Sequence, residues 1–370
     1  MHKLIFTSLV ALSAFCSSAT AAESILIGQS ASLSGPAAAA GQAFVLGARL
    51  YLDGVNGSGG INGRAIELRT LDDGYDPRRA AENAAKLIDD GAVGLFGFVN
   101  TPTSLAGAKV AMDKHMPFIA PASGASGLRG RDNDYIFNVR ASFKDEATRI
   151  ATHLATVSTA RVSFFSLSIP ESKIMFEHLG GLLAQSGKKF YSVANVEPGK
   201  VDLVKAAADL QPTQTQAVVM FCPGKMCADL VAEMRRQGGS GISFYTISSA
   251  GDVFGPAADM GATVAVTQVM PYPWVPGAFA IVDKYQKAML AAGHSEFGYW
   301  SLEGYISAAV LTEGLRRMKG SPSPAALTAA MRSIDHLHLS GFELTMNAQH
   351  HDGSTFTEIT LARSGGRYRR

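Results

Sequence analysis

The polar residues that follow one short apolar run are the first candidates for binding chemistry. The run 93–99 ends in Asn100-Thr101-Pro102, where threonine is a good helix N-cap and proline suits the first helical position. A helix starting here presents unpaired backbone N–H groups and the positive end of its dipole. A carboxylate could bind there with help from the hydroxyl of Thr101 or Ser104. Ordinary helix capping explains the same residues without a ligand, so both interpretations stay open at this point.

A second loop of small residues follows the next apolar run. After 117–120 the chain reads Ala122-Ser123-Gly124, and such small side chains allow a ligand to approach the backbone closely. Ligands of open α/β sheets bind beyond the carboxyl ends of the strands, where neighbouring loops meet. Two such loops side by side predict one binding site for a small carboxylate more strongly than either loop alone.

The patterns of common catalytic classes do not occur in this sequence. No Walker loop is present, no Gly-x-Ser-x-Gly elbow follows a strand, and the Gly-rich stretch 57–60 precedes a strand. His350, His351 and Asp352 fall in a turn-rich stretch without a partner at a metal-binding spacing, so we expect a solvated turn there. We therefore expect a binding protein and not an enzyme, with no catalytic residue, cofactor or metal ion.

Two cysteines, Cys222 and Cys227, lie close together in the sequence Cys-Pro-Gly-Lys-Met-Cys. Their spacing differs from the Cys-x-x-Cys of redox enzymes, and no second pair completes a zinc site. In an oxidising compartment the two could form a local disulfide. Two inert thiols near the end of a buried strand are an equally good interpretation of the sequence.

The N-terminal segment indicates export. A short positively charged start is followed by the apolar run 4–15, which is too short to span a bilayer comfortably. Residues 1–22 are predicted to be a secretory signal peptide that is cleaved after Ala21 or Ala22, and the mature chain is expected in the periplasm. A membrane anchor and a lipoprotein modified at Cys16 are the alternatives.

The charge balance argues against nucleic acid as a partner. The chain carries 33 basic and 31 acidic residues, for a net charge of +2, which creates no field that would attract nucleic acid or anionic lipid. With 370 residues, of which 47% are apolar, the chain is long enough for two domains with substantial cores.

Short apolar runs alternate with helical segments along most of the chain. The first half contains predicted strands at 25–27, 65–71, 93–99 and 117–120, with helices at 42–52, 77–90 and 102–115. After 135–139 the pattern resumes, with a helix at 143–158 and strands at 162–167, 190–196, 217–222, 243–247 and 263–270. This alternation predicts an α/β protein with two doubly wound parallel-sheet lobes joined by short crossings. The tail 363–370 is polar and is expected to fray.

Three motifs resemble those of a known family. Residues 47–68 read Gly-Ala-Arg-Leu-Tyr-Leu-Asp-Gly-Val-Asn-Gly-Ser-Gly-Gly-Ile-Asn-Gly-Arg-Ala-Ile-Glu-Leu, which resembles the signature of the leucine/isoleucine/valine-binding type of periplasmic solute-binding protein. Residues 72–77, Asp-Asp-Gly-Tyr-Asp-Pro, resemble its second motif, and residues 138–142, Asn-Val-Arg-Ala-Ser, its first crossing between lobes. The resemblance covers nearly the whole mature chain.

The resemblance implies a type I periplasmic binding protein fold with three crossings between the lobes. The first lobe would comprise 23–141 and 268–354, and the second lobe 142–267 and 355–370. It further implies hinged closure around a solute and delivery to the permease subunits of an ABC importer, and we expect a monomer. A sensory protein of the same fold that signals to a membrane receptor is an alternative.

By position, the resemblance also implies a set of ligand-contacting residues. These are Ser34, Asn100, Thr101, Ala122, Ser123, Gly124, Glu171, Phe221, Ser248 and Trp300, with Tyr299 as an alternative to the last. The family's amino-acid binders place an acid at the position of Ser248, an aromatic residue at Glu171 and a tyrosine at Phe221. Glu171 could supply the missing partner for an ammonium group, or it could be solvated at the rim of the cleft. The expected ligand is therefore an amino acid or a related small carboxylate, with an aromatic or other organic acid as the alternative.

Overall fold

A computed structural model of the chain describes residues 23–130, 132–251, 253–347 and 351–370. The predicted signal peptide, the possible lipidation site Cys16 and His350 lie outside these ranges. Within them, no helix is long and apolar enough to cross a membrane.

The first lobe contains a five-stranded sheet. Its strands are β1 (Ile25–Ala31), β2 (Ile66–Asp72), β3 (Gly94–Phe96), β4 (Phe118–Ile119) and β5 (Ile136–Phe137), and its first helices are α1 (Ala38–Gly57), α2 (Pro77–Asp89) and α3 (Thr101–Asp113). The strand order is β2-β1-β3-β4-β5, and every neighbouring pair is parallel. All carboxyl ends therefore lie at one edge, where the loops before α1, α2 and α3 meet.

The second lobe contains a seven-stranded sheet. Its strands are β6 (Val162–Leu167), β7 (Val193–Val196), β8 (Ala217–Phe221), β9 (Ser243–Thr246), β10 (Thr263–Gln268), β13 (Glu358–Ala362) and β14 (Tyr368–Arg369); between β10 and β13 the chain forms the short hairpin β11 (His336–Leu339) and β12 (Phe342–Thr345). Its helices are α4 (Phe143–Thr156), α5 (Pro170–Gln185), α6 (Leu203–Asp209), α7 (Gly224–Arg236) and α8 (Gly255–Asp259). The strand order is β14-β13-β10-β9-β8-β6-β7, and β13 runs antiparallel to both of its neighbours, β10 and β14.

The remaining helices return to the first lobe. They are α9 (Ala280–Ala291), α10 (Tyr299–Arg317) and α11 (Pro324–Arg332), and α10 packs along α1. Gly47 on α1 faces the backbone of α10, and Gly304 on α10 faces the backbone of α1, so closely that a Cβ at either position would overlap it. Glycine at both contact points lets the two helices approach backbone to backbone.

The chain passes between the two sheets three times: after β5, after β10 and before β13. The predicted α/β fold with two lobes and three crossings is thereby confirmed. The exact division of the chain at 141/142, 267/268 and 354/355 stays a prediction, and its second boundary falls one residue before the end of β10.

Two local expectations are corrected by the structure. Helix α3 begins at Thr101, so the N-cap position belongs to Asn100 instead. The tail does not fray: β14 pairs with β13, and the buried Tyr368 donates a hydrogen bond from its hydroxyl to the carbonyl of Gly251. A buried aromatic ring anchors a segment that its polar neighbours would otherwise leave solvated.

Candidate ligand-binding site

The cleft between the lobes contains two adjacent compartments. The first compartment, of about 230 Å³, lies against the start of α3. The second compartment, of about 400 Å³, lies against the start of α1. Four residues line both of them: Tyr75, Asn100, Pro223 and Ser249. The two compartments therefore lie next to each other.

The start of α3 forms the polar side of the first compartment. Asn100 adopts a left-handed φ of 77°, and its side-chain nitrogen is buried without a hydrogen-bond partner in the described part of the chain. Thr101 lines the compartment, and its hydroxyl lies 2.8 Å from that of Ser123. An unpaired buried donor costs free energy, so this amide is a group that a ligand oxygen would satisfy.

Three helices begin at this compartment. Thr101 is the first residue of α3, Ile169 is the N-cap of α5 and Pro223 is the N-cap of α7, and all three residues line it. Helix N-termini carry positive partial charge and unpaired N–H groups, which favour an anion. The three helix N-termini therefore favour an anion, whereas the carboxylate of Glu171, which also lines the compartment, opposes one. We call the part of the compartment at the three helix starts the anion site.

The rest of the first compartment is apolar. Leu167, Ile169 and Ile247 line it together with two phenylalanines. The rings of Phe143 and Phe221 pack edge to face at 5.5 Å, and Phe221 remains only 8% exposed. These side chains are suited to an apolar ligand body.

Glu171 links the two lobes across the first compartment. Its carboxylate accepts hydrogen bonds from the backbone N–H of Ser126, at 3.1 and 3.2 Å, and from the Ser126 hydroxyl at 3.0 Å. A second bond between the lobes runs from the N–H of Phe143 to the carbonyl of Gly124, at 2.8 Å. The contact between Glu171 and Ser126 would break if the lobes moved apart, whereas the bond of Phe143 lies next to the first crossing.

Ser248 belongs to a buried charge cluster and does not line either compartment. Its N–H and hydroxyl donate to Glu146 at 2.7 and 2.9 Å, and its hydroxyl also contacts the guanidinium of Arg140. Arg140 pairs with Glu303 of α10 at 3.3 Å and lies 3.6 Å from Glu146 of α4. Burial raises the pKa of both glutamates above their usual range, and Arg140 opposes the shift. Ser249, the next residue in the chain, lines both compartments instead.

The other predicted residues fall in three places. Trp300 lines the second compartment, where its ring also packs against the guanidinium of Arg140. Ala122 and Gly124 are buried behind the compartments, and a Cβ on Gly124 would overlap the ring of Phe143. Ser34 lies at the surface outside both compartments, with its hydroxyl donating to Asp72 at 2.5 Å.

Cys222 and Cys227 are joined by a disulfide, with their Cα atoms 5.7 Å apart. The bond connects the end of β8 to the first turn of α7 and encloses Pro223, which lines both compartments. A Cβ on Gly224 would overlap the carbonyl of Ala250, so this turn also packs tightly against the loop after β9. The cleft wall at this point is held covalently and by packing.

Two residues that shape the site were not among those predicted from the sequence. Tyr75, with a φ of 70°, lines both compartments, and its place in the Asp-Asp-Gly-Tyr-Asp-Pro motif was the available signal. Arg129 holds the second loop by donating to the carbonyls of Ser123 and Ala125, each at 3.3 Å, and burial lowers its pKa to about 10. Nothing in its local sequence distinguishes Arg129 from a surface arginine. Among the described residues, no group of acidic, histidine and cysteine side chains is arranged to hold a metal ion.

The chain belongs to the periplasmic binding protein family. A profile described as "Periplasmic binding protein" matches residues 24–366, which is nearly the whole described chain. This family comprises solute-binding proteins and not enzymes, in agreement with the sequence-based expectation and with the resemblance to the leucine/isoleucine/valine-binding type.

Individual relatives are similar at low sequence identity. The Leu/Ile/Val-binding protein homolog 7 of Brucella abortus is 23% identical over 351 residues, covering 90% of this chain and 86% of that protein. The leucine-, isoleucine-, valine-, threonine-, and alanine-binding protein of Pseudomonas aeruginosa is 29% identical over 128 residues, which span only 35% of this chain and 34% of that protein.

Solved structures share the fold over nearly the full length. A possible leucine/isoleucine/valine-binding protein from Rhodopirellula baltica superposes with a TM-score of 0.85 at 24% identity, over 95% of this chain and 97% of that one. The solute-binding protein of an ABC transporter from R. palustris, solved in complex with benzoate, superposes with a TM-score of 0.78 at 18% identity, over 93% and 94% of the two chains. These likenesses establish the type I periplasmic binding protein fold.

Proposed function

We propose that this chain is the periplasmic substrate-binding component of an ABC importer and acts as a monomer. It is exported, binds a small solute in the cleft and presents the closed form to the permease subunits. The family membership, the three crossings and the lobe-bridging contact between Glu171 and Ser126 support this proposal. A ligand selects the closed state only through contacts that it gains on closure, and the apolar wall of the second lobe supplies such contacts.

The proposed ligand is a carboxylic acid with an apolar body. Three helix N-termini at the first compartment favour an anionic group, and the unpaired amide of Asn100 offers it a hydrogen bond. The hydroxyls of Thr101 and Ser123 are adjacent to the same helix start. The aliphatic and aromatic side chains opposite would pack on the rest of the molecule.

The same geometry favours an acid that lacks an α-amino group. Within the described chain, Glu171 is the only acidic residue that lines the first compartment, and its carboxylate is already bound by Ser126. Ser248 is turned into the buried charge cluster, and Phe221 has no hydroxyl to offer. An ammonium group would have to share the Glu171 carboxylate with Ser126, whose hydrogen bonds already engage both of its oxygens. This prior engagement of Glu171 is the observation that carries this part of the proposal, and the benzoate complex of a structural neighbour is a precedent within the fold.

Matched ligand pairs test the proposal by isothermal titration calorimetry. Isocaproate and hydrocinnamate are L-leucine and L-phenylalanine without the amine, so each pair isolates that one group. We expect each amine-free acid to bind at least roughly tenfold more tightly than its amino acid, which corresponds to about 1.4 kcal/mol. Tighter binding of the amino acids would refute the preference for amine-free ligands. No binding of any carboxylate would refute the anion site itself.

A variant identifies the part of the cleft that is responsible. Thr101→Val removes the hydroxyl next to Ser123 and keeps the shape of the side chain. We expect it to weaken carboxylate binding by roughly tenfold, since a hydrogen bond to a charged group contributes about 1.5–3 kcal/mol. Thr152→Val, at an exposed position on α4, is the matched control and should leave the affinity unchanged.

A further inference from the structure

The second compartment is lined on one side by a stripe of alanines. Ala37, Ala40 and Ala43 occur at every third position of the N-cap and first turns of α1, so they share one face of the helix. Ala39 lines the compartment as well, and Val253 and Trp300 lie among its other lining residues. A stripe of methyl groups leaves space that larger side chains would fill, and this space is the compartment of about 400 Å³.

Helix α1 cannot shift to close this space. Gly41 faces the backbone of Ser32 so closely that a Cβ would overlap it, and Gly47 meets the backbone of Ser301 in the same way. On the partner helix, Gly304 makes the equivalent contact with Phe44. These backbone contacts hold α1 on both sides, because a close-packed interface does not deform continuously. The first-lobe wall of the second compartment is therefore fixed, whereas its second-lobe wall, which includes Pro223 and Val253, would move with that lobe.

The two compartments are immediate neighbours. Tyr75, Asn100, Pro223 and Ser249 line both, so the anion site and the alanine stripe lie on either side of these four residues. The first compartment alone, at about 230 Å³, is smaller than the roughly 300–1,000 Å³ of typical small-molecule sites. The two compartments together have a volume within that range.

We propose that the ligand is an elongated apolar carboxylic acid whose distal part lies in the second compartment, against the alanine stripe Ala37–Ala40–Ala43. The inference rests on the proposed binding of a carboxylate in the first compartment. The stripe acts as the length-determining element: it admits a distal ring or alkyl chain that a bulkier helix face would exclude. Each methylene buried there should tighten binding by up to about fourfold.

Calorimetry with acids of different length tests this inference. Benzoate is the short acid and phenylvalerate is the long acid in this comparison. Wild-type protein is expected to bind phenylvalerate at least roughly tenfold more tightly than benzoate. Ala40→Leu fills the second compartment and should abolish this advantage while changing benzoate binding by less than about twofold. Ala43→Leu is a second variant on the same stripe, and Ala38→Leu is the matched control, because Ala38 lies in the same turn and lines neither compartment.

The outcomes separate this inference from the proposed function. The inference is overturned, while the anion site stands, if phenylvalerate binds equally well to wild type and to both stripe variants. It is also overturned if wild-type protein binds phenylvalerate no more tightly than benzoate. Equal loss of both acids in Ala40→Leu and Ala43→Leu, with the thermal midpoints of the free variants unchanged, also overturns it. If wild-type protein binds neither acid, the carboxylate site itself fails.

Discussion

Arg140 is a buried cation between two buried carboxylates from opposite lobes. From this arrangement of charges we predict how much stability is lost when the arginine is replaced. Its side chain is 1% exposed, while those of Glu146 and Glu303 are 0% and 6% exposed. Arg140→Met leaves both carboxylates without their ion-pair partner. Removing one partner of a buried ion pair costs about 3–5 kcal/mol, because the remaining charge is uncompensated. For typical domains 1 kcal/mol shifts the midpoint by about 2–4 °C, so we expect the thermal midpoint to fall by roughly 6 °C or more.

Glu303→Gln perturbs the same cluster in the opposite direction. The neutral amide removes one of two negative charges and leaves Arg140 paired with Glu146. We therefore expect a much smaller effect than that of Arg140→Met, and one that depends on pH. Glu313→Gln is the matched control on the same helix, because Glu313 is partly exposed and its pair with Arg317 contributes at most about 1 kcal/mol.

The sign of the pH dependence follows from the raised pKa of Glu303. Burial raises this pKa above its ordinary value of 4.5 in the folded protein, so the folded state binds the proton more tightly than the unfolded chain. The resulting stability is fully present below pH 4.5 and is lost as the pH rises through the folded-state pKa. The variant has no proton to lose at this position. Its stability relative to wild type should therefore increase as the pH rises.

Urea unfolding followed by circular dichroism, at several pH values between about 4 and 8, measures both effects. Comparing each variant with wild type at the same pH cancels the titration of groups outside this cluster. The reasoning is refuted if Arg140→Met destabilises no more than Glu303→Gln. It is also refuted if the difference between Glu303→Gln and wild type is the same at every pH.

Three further predictions concern the cleft and its supports. Glu171→Gln should weaken amine-free and amine-bearing ligands by the same factor, because the carboxylate holds the lobes together; calorimetry showing a selective loss of amines would contradict this. Gly124→Ala should lower the free energy of unfolding by about 1–3 kcal/mol, because the added methyl group overlaps the neighbouring aromatic ring. Gly54→Ala is the control: it has open space around it and should raise the free energy of unfolding by roughly 0.5–1 kcal/mol. Equal effects of the two substitutions in urea titrations would count against the packing argument. Replacing Cys222 and Cys227 by serine should cost about 2 kcal/mol from the short closed loop and weaken ligand binding, and a variant as stable as wild type would show that the disulfide adds nothing.

The fold was largely predictable from the sequence because it depends on local periodicity. Apolar runs such as 162–167 coincide with the strand β6, since a strand buried on both faces reads as a continuous apolar segment. Parallel strands need a crossover of a dozen or more residues, so strict alternation with helices implies the sheet topology. The tail was the exception, because the burial of Tyr368 depends on a partner more than 100 residues away.

The site was only partly predictable. Asn100 and Thr101 could be placed in the cleft because strand ends meet at a known edge of a parallel sheet. The hydrogen-bond partners of Glu171 and Ser248 could not be predicted from the sequence. Ser126 approaches Glu171 from the other lobe, and Glu146 approaches Ser248 from a distant helix. Which residues bind a ligand depends on which of them remain free after such contacts form.

By itself, the sequence determined the two α/β lobes and the family of solute-binding proteins, since these follow from short-range patterns and motifs, and it predicted an export signal. Only the tertiary structure decided the character of the cleft. It commits Glu171 to a contact between lobes, turns Ser248 toward a buried arginine and aligns the alanines of α1 along an open compartment. Each of these depends on packing between segments far apart in the chain, and local sequence does not encode which distant groups they meet.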